Sequence, residues 1–406
     1  MKKFIVILIL TMSLLVTFSA QTVFAADFSA DSRHAIAVES DTGKILYEKS
    51  GNKKAPIASL TKLLTIYITL KEIKAGKISW NDQVKLSEYA QSLATDPEIS
   101  NPPLTSDTYS VKELVDSSLI VSANSSAIAL AEHIAGSEPK FVDMMKKQVE
   151  QWGITDYLLV DSSGLPNSLL KGHTYPGSSP KDENMLSAKS LAIIAYYLIH
   201  DFPEVLQITS QPQMIWGYET LYSTNYLLPG QEMGRAGVDG LKTGTTNLAG
   251  QTYIATATEN NMRLITVLLH ANHTKEDHYA RFTQTNQLLD YCFQNYQKKL
   301  MVKKNQPLPN RIAVENGKKD KISIKTKTNI YAIHKINTAP KLSFKSKNKL
   351  VAPIKKNQFI GTYEFNDQDT IGEGYLFGKT KTKVYASTTV DKLTVFDKIY
   401  RLFKNF

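Results

Sequence analysis

Two sets of strand-like runs stand at opposite ends of a segment whose middle is helical. Residues 35 to 49, AIAVESDTGKILYEK, alternate apolar and polar positions around Asp41-Thr42-Gly43 and predict a hairpin. After residue 236, GVDGLKTGTT and GQTYIATATENNMRLITVLLHA, with a turn at Glu259-Asn260-Asn261, predict three more antiparallel strands. Between them, SVKELVDSSLIVSANSSAIALAEHIAG and FVDMMKKQVEQWG carry helical periodicity and stop at Gly136 and Gly153. A further helix fits SAKSLAIIAYYLIH, with Ser187 as its cap, and HYARFTQTNQLLDYCFQNYQKK closes the segment. Strands at both ends with helices between them predict an α/β domain over residues 26–296 whose antiparallel sheet is completed by the two ends. The intervening DSSGLPNSLLKGHTYPGSSPKDEN is dense in Gly, Pro, Ser and Asn, a long loop of the kind that carries function.

The pattern changes near residue 300. KISIKTKTNIYAIH and GKTKTKVYAS alternate Lys or polar residues with apolar ones, predicting a small β-rich domain over 297–387. The net charge of +10 is uneven: residues 26–295 carry 22 Lys and Arg against 30 Asp and Glu, and residues 296–406 carry 24 against 8. Residues 388–406 read as an amphipathic helix starting near Thr389. Leu393, Phe396, Tyr400 and Phe403 form one stripe, Ile399 and Phe406 lie beside it, and Lys398, Arg401 and Lys404 lie elsewhere. Such a helix can lie in a membrane interface or dock on its own β domain, and the cations beside the stripe favour the membrane surface. At the other end, Lys2 and Lys3 precede an apolar run ending in Val23-Phe24-Ala25, the form of a cleaved export signal over residues 1–25. An exported basic domain meets anionic wall polymers and lipid headgroups, so no nucleic acid partner is expected. Cys292 is the only cysteine, which excludes an internal disulfide and leaves core packing to hold the fold; its apolar helical setting reads as core.

Three short motifs could carry chemistry. Ser59-x-x-Lys62 follows Pro56 and opens a run without Gly or Pro, which puts both residues on one helical face. A serine hydroxyl needs a base, and a lysine serves only if burial or nearby cations lower its pKa. The spacing alone is unspecific, since Ser50/Lys53, Ser137/Lys140, Ser168/Lys171, Ser178/Lys181 and Ser346/Lys349 share it, and a capping serine with a solvated lysine would look the same. Ser122-Ala123-Asn124 offers a hydroxyl to relay a proton and an amide to hold a lysine or a substrate carbonyl. Lys242-Thr243-Gly244, the one Lys-Thr-Gly in the chain, falls in a predicted strand. There the glycine lets a substrate backbone lie close, and the lysine supplies fixed positive charge for a carboxylate.

In this order the three motifs form a strong joint signal. They resemble the penicillin-binding proteins and serine β-lactamases. HAIAVESDTGKILYEK, SLTKLLT, SANSSAIALAE, GLKTGTT and MRLITVLL place the likeness in the low-molecular-weight serine-type D-alanyl-D-alanine carboxypeptidases of the streptococcal type, over about residues 30–295. The basic β domain and the terminal amphipathic helix also resemble that group.

The resemblance implies a β-lactamase/transpeptidase-like fold and a site without metal or cofactor. It implies that Ser59 attacks the carbonyl between the two terminal D-alanines of a peptidoglycan stem peptide to form an acyl-enzyme. Lys62 would take the proton, Ser122 would pass it to the leaving D-alanine with Lys242, and Asn124 would position Lys62 and the substrate amide. The oxyanion hole would be the N–H groups of Ser59 and Thr245. The substrate carboxylate would meet Lys242, Thr243 and Thr245 beside Gly244, with Arg281 of YARF as an addition resting on position. β-Lactams would acylate Ser59, and removal of the terminal D-alanine would limit cross-linking.

Two departures stand out. Ala123 occupies a position where relatives commonly carry Gly or Asp, and the loop after Gly164 lacks the Glu-x-x-Leu-Asn that places a deacylating glutamate in class A β-lactamases. Asp161 and Glu183 are the nearest acids, and neither has that context, so a penicillin adduct is expected to leave slowly. GEGYLFGKT ends like a phosphate loop but has Glu373 at the required glycine and sits in a β segment. There is neither a Gly-x-Ser-x-Gly elbow nor a His-Glu-x-x-His pair. A β-lactamase and a non-catalytic wall-binding protein on the same fold remain as alternative readings.

Overall fold

The structure is a computed structural model that describes residues 28–346, 349–379 and 381–404. The expected export signal, residues 1–25, lies outside the described residues. Five antiparallel strands form the main sheet: β1 (Ser32–Glu39), β2 (Ile45–Lys49), β3 (Val238–Thr246), β4 (Gly250–Glu259) and β5 (Met262–Ala271), in the order β2-β1-β5-β4-β3. β1 pairs with β5 in a register that sets Ile36 opposite Val267 and Val38 opposite Ile265, so the two ends of the segment meet inside one sheet. The β4–β5 turn uses Asn260 and Asn261 at φ +49° and +60°, the left-handed pair that a tight hairpin requires and that Asn tolerates.

Both faces of the sheet are covered, which is why its strands read as nearly continuous apolar runs. On one face, Ile36, Val38, Ile254, Ile265 and Val267 join the core of the helical layer: α1 (Lys62–Lys74), α2 (Val111–Ile120), α3 (Asn124–Ala135), α4 (Glu138–Gln151) and α5 (Ala188–Asp201). On the other, Ala35, Ala37, Tyr253, Ala255 and Leu268 meet Phe282, Leu288, Leu289 and Cys292 of α6 (Ala280–Asn295). Cys292 is core, and burial pushes its thiol pKa up. α1 is apolar nearly all round, with ten of its thirteen residues buried, so it runs through the middle of the layer and takes Lys62 inside with it.

The periodicity that suggested a continuous helix from 111 to 135 is interrupted. α2 ends at Ile120, Ser122 adopts φ +64°, and α3 starts at Asn124. Apolar spacing persists across the break because both helices bury their faces in the same core.

The C-terminal part is all-β. Strands Pro307–Ala313, Lys321–Thr326, Lys381–Ala386, Phe359–Asn366 and Lys341–Ser346 form one antiparallel sheet in that spatial order, over a core that includes Ile322, Ile324, Ile360, Val384 and Ala386. Its loop containing GEGYLFGKT is a joint to the first domain: Ile45 N–H donates to the Gly374 carbonyl at 2.9 Å, and Leu376 N–H to the Gly43 carbonyl at 2.8 Å.

The terminal helix, α7 (Val395–Lys404), starts later than Thr389. Val390 and Lys392 make β-bridges to Ile354 and Gly317, and the helix opens only where Thr394 and Asp397 cap one another. Arg401 holds it to the β domain through Asp320 and the carbonyls of Gly317 and Lys318, while Phe396 is 84% and Tyr400 68% exposed. Among the described residues no helix is long and apolar enough to cross a membrane.

Candidate active site

Ser59 lies in a 3-10 turn, Ala58–Thr61, ahead of α1 rather than in the helix itself. Three residues per turn bring positions i and i+3 directly over one another. Lys62 Nζ accordingly donates to Ser59 Oγ at 2.9 Å, and its other donors reach Asn124 Oδ1 and the Ser163 carbonyl, both at 2.7 Å. All three of its acceptors are uncharged. Burial lowers the Lys62 pKa to about 7, with the Asp161 charge working against the fall. The turn is strained, with Ala58 at φ +51°, and Gly164 packs over it so closely that a Cβ there would stand 2.0 Å from the Ala58 carbonyl oxygen.

A cleft of about 300 Å³ opens over Ser59, lined also by Ser122, Thr243, Gly244, Thr245 and Arg281. β3 forms its edge. A Cβ on Gly244 would come within 3.0 Å of the Ser59 nitrogen and 2.6 Å of Thr252 Oγ1, so only glycine lets this strand pass the serine. Ser122 faces the cleft from the break between α2 and α3, and Thr243 Oγ1 shares a hydrogen bond with Thr224 Oγ1 at 2.7 Å. Lys62, Asn124 and Lys242 are buried behind this surface.

Residues 19–273 match the D-alanyl-D-alanine carboxypeptidase family, and residues 296–392 match the penicillin-binding protein 5 C-terminal domain. The chain belongs to the D-alanyl-D-alanine carboxypeptidase family. It is 30% identical to the D-alanyl-D-alanine carboxypeptidase DacF of Bacillus subtilis over 92% of this chain and 91% of the relative. The crystal structure of a peptidoglycan synthesis regulatory factor, PBP3 of Streptococcus pneumoniae, superposes with a TM-score of 0.82 at 39% identity, covering 90% of this chain and all of that one. Penicillin-binding protein D2 of Listeria monocytogenes, solved in its ampicillin-bound form, superposes with a TM-score of 0.56 at 28% identity over 66% of this chain and 99% of its own.

Within this carboxypeptidase the two cations beside Gly244 differ in exposure. Lys242 is buried and donates to the Thr243 carbonyl at 2.9 Å. Burial, then the charges of Lys62 and Arg281, push its pKa well below the usual lysine value. The cation at the cleft surface is Arg281, whose guanidinium reaches Thr245 Oγ1 at 2.6 Å and the Gly244 carbonyl at 2.9 Å. Burial lowers its pKa only to about 10, so it stays charged at neutral pH.

Sequence reasoning missed the floor of the site. Asp161 Oδ1 accepts from Ser163 N–H at 2.7 Å, Ser163 Oγ at 2.8 Å and Gly164 N–H at 2.5 Å, folding DSSG into a turn that aims the Ser163 carbonyl at Lys62. Asn184 ties this turn to the serine's own, donating to the Asp161 carbonyl at 2.9 Å and to Thr61 Oγ1 at 3.0 Å. The Asp-x-x-Gly spacing signals a turn, but nothing local says what lies above it. Glu183 is held by Thr246 Oγ1 at 2.6 Å. Neither acid lines the cleft.

Proposed function

We propose that the chain acts on peptidoglycan stem peptides ending in D-Ala-D-Ala and releases the terminal D-alanine through an acyl-enzyme on Ser59. The observation that carries this reading is the buried Lys62 amine, 2.9 Å from Ser59 Oγ and bound otherwise to neutral acceptors, at the base of a cleft holding one guanidinium. A lysine with a pKa near 7 is half neutral at physiological pH and can accept the Ser59 proton as the hydroxyl oxygen bonds to the carbonyl carbon. Ser122 relays that proton, with Lys242 behind it, to the departing D-alanine nitrogen. Asn124 holds Lys62 in place and positions the substrate amide.

The Ser59 and Thr245 N–H groups receive the oxyanion; one such donor is worth about 2.7–4 kcal/mol of barrier. Lys242, Thr243 and Thr245, beside Gly244, take the terminal carboxylate, with Arg281 added at the cleft surface. Water then hydrolyses the ester. β-Lactams acylate the same serine and leave slowly, because Asp161 and Glu183 are both committed behind the cleft surface.

The test is mass spectrometry after penicillin treatment, combined with D-alanine release from a D-Ala-D-Ala peptide. A long-lived adduct on Ser59 and loss of both activities in S59A are expected. Steady penicillin hydrolysis would mark a β-lactamase instead, and D-alanine release that persists in S59A would remove Ser59 from the mechanism. The enzyme is exported and sits at the extracytoplasmic face of the cell membrane, and the exposed Phe396, Ile399 and Tyr400 of α7 support its peripheral anchoring there. Deleting residues 388–406 should release it from membranes, and continued sedimentation with them would refute the anchor.

A further inference from the structure

The buried turn beneath Lys62 contains a carboxylate that the reaction scheme above does not use. Asp161 is fully buried, and the turn built on it needs only an acceptor oxygen, which an asparagine would provide equally well. Its Oδ1 takes the donors of Ser163 and Gly164, while Oδ2 is buried with no hydrogen-bond partner among the described residues. Burial raises the Asp161 pKa, opposed by the Ser163 and Gly164 donors and by the Lys62 charge, so its ionised form depends on a compensating cation.

The charged groups around Lys62 leave few candidates for that compensation. From α4, Glu138 accepts from Ser162 N–H at 2.9 Å and Ser162 Oγ at 2.6 Å, and burial, then the Asp161 charge, push its pKa to about 7. Glu183 is bonded to Thr246, and from β3 and α6 come only the cations Lys242 and Arg281. Lys62 donates its other hydrogen bonds to the neutral Ser59 and Asn124.

We propose that Asp161 is a positioning residue for Lys62: folded under the Ser163 carbonyl, it fixes that acceptor against the amine and supplies the counter-charge for the ammonium formed when Lys62 takes the Ser59 proton. The inference rests on Lys62 as the base. Burial alone would push the amine still lower, and Asp161 is the charge that opposes it, which keeps the base strong enough to accept a serine proton. In the sign of the effect, an opposing carboxylate raises the lysine pKa, so removing it moves the pH at which the base becomes neutral downward.

The experiment is the second-order rate of Ser59 acylation by a fluorescent penicillin, measured across the neutral range. The wild type should rise through an acidic limb near the Lys62 pKa of about 7. D161N keeps the turn's acceptor and removes the charge. Its limb should move about one pH unit lower, the size of a neighbouring opposite charge, and its plateau rate should fall roughly tenfold, the equivalent of one pKa unit of lost stabilisation. A limb that stays in place, whatever the plateau does, or that moves upward, would overturn the inference. If D161N melts before assay, D161S takes its place, since a serine closes the same turn without charge; the same shift is then expected, and a fixed limb is equally fatal. A wild type with no limb at all would refute Lys62 as the base, a failure visible before any variant is made.

Discussion

Of the buried lysines, Lys44 and Lys62 do opposite things. Lys44, in the turn between β1 and β2, donates to Asp367 Oδ1 at 2.8 Å and to the Ile333 carbonyl at 2.9 Å, and Tyr375 OH donates to Asp367 Oδ2 at 2.7 Å. Lys62 has a hydroxyl, an amide oxygen and a carbonyl, and among the described residues no carboxylate within ion-pair distance. Burial lowers the pKa of both, but at Lys44 the hydrogen bond and charge of Asp367 oppose it. Taking the proton from Lys44 would strand a buried carboxylate, so that lysine serves as a bolt between domains. Taking it from Lys62 breaks no direct ion pair, because the nearest carboxylate, Asp161, acts on it only through space, so that lysine can do chemistry. The lesson is that burial makes a lysine available for proton transfer only where its immediate acceptors are neutral.

Exchanging what each lysine provides should break the comparison. K62M keeps most of the packing and removes the amine; penicillin acylation should fall about 100- to 10,000-fold, the usual worth of a general base. Its unfolding free energy should change less than that of the next variant. D367A leaves Lys44 buried without its partner and should cost about 3–5 kcal/mol in a denaturant titration, with the acylation rate of the folded fraction unchanged. A D367A protein as stable as wild type would show that the Lys44 pair does not hold the domains. The smallest effect should come from E373Q, which removes the pair between Lys189 and a glutamate whose side chain is 64% exposed; its midpoint should correspond to a loss under about 1 kcal/mol. A larger loss would mean that the joint depends on its rim as much as on its buried bolt.

Much of this arrangement can be read from the chain. The strand pairs at the two ends of the first domain, Ser187 as a cap and the Asn260-Asn261 turn are local features, and the structure has them where local rules put them. The Ser59–Lys62 contact also follows from spacing, although through a 3-10 turn rather than a helical face. Other features resist local reading. The apolar period runs through Ser122 without a sign of the break, because helices on either side share one core. α7 opens at Val395 rather than near Thr389 because Val390 and Lys392 are drawn into β-bridges and Thr394 and Asp397 cap one another beyond them. The Asp161 spacing signals a turn and nothing more, since Lys62, which donates to the Ser163 carbonyl of that turn, is remote in sequence.

By itself, the sequence determined which groups are present and which neighbours along the chain can meet: a serine and a lysine three residues apart, an Asx turn, a lone Lys-Thr-Gly, a basic β-rich tail. Only the tertiary structure decided their charge. Whether Lys62, Lys242 or Arg281 bears a proton depends on how much water burial removes and which dipoles replace it, and those replacements arrive from α3, the Asp161 turn and β3 at once. Solvation is a property of the assembled surroundings, so an identical Lys can be a bolt at position 44 and a proton acceptor at position 62.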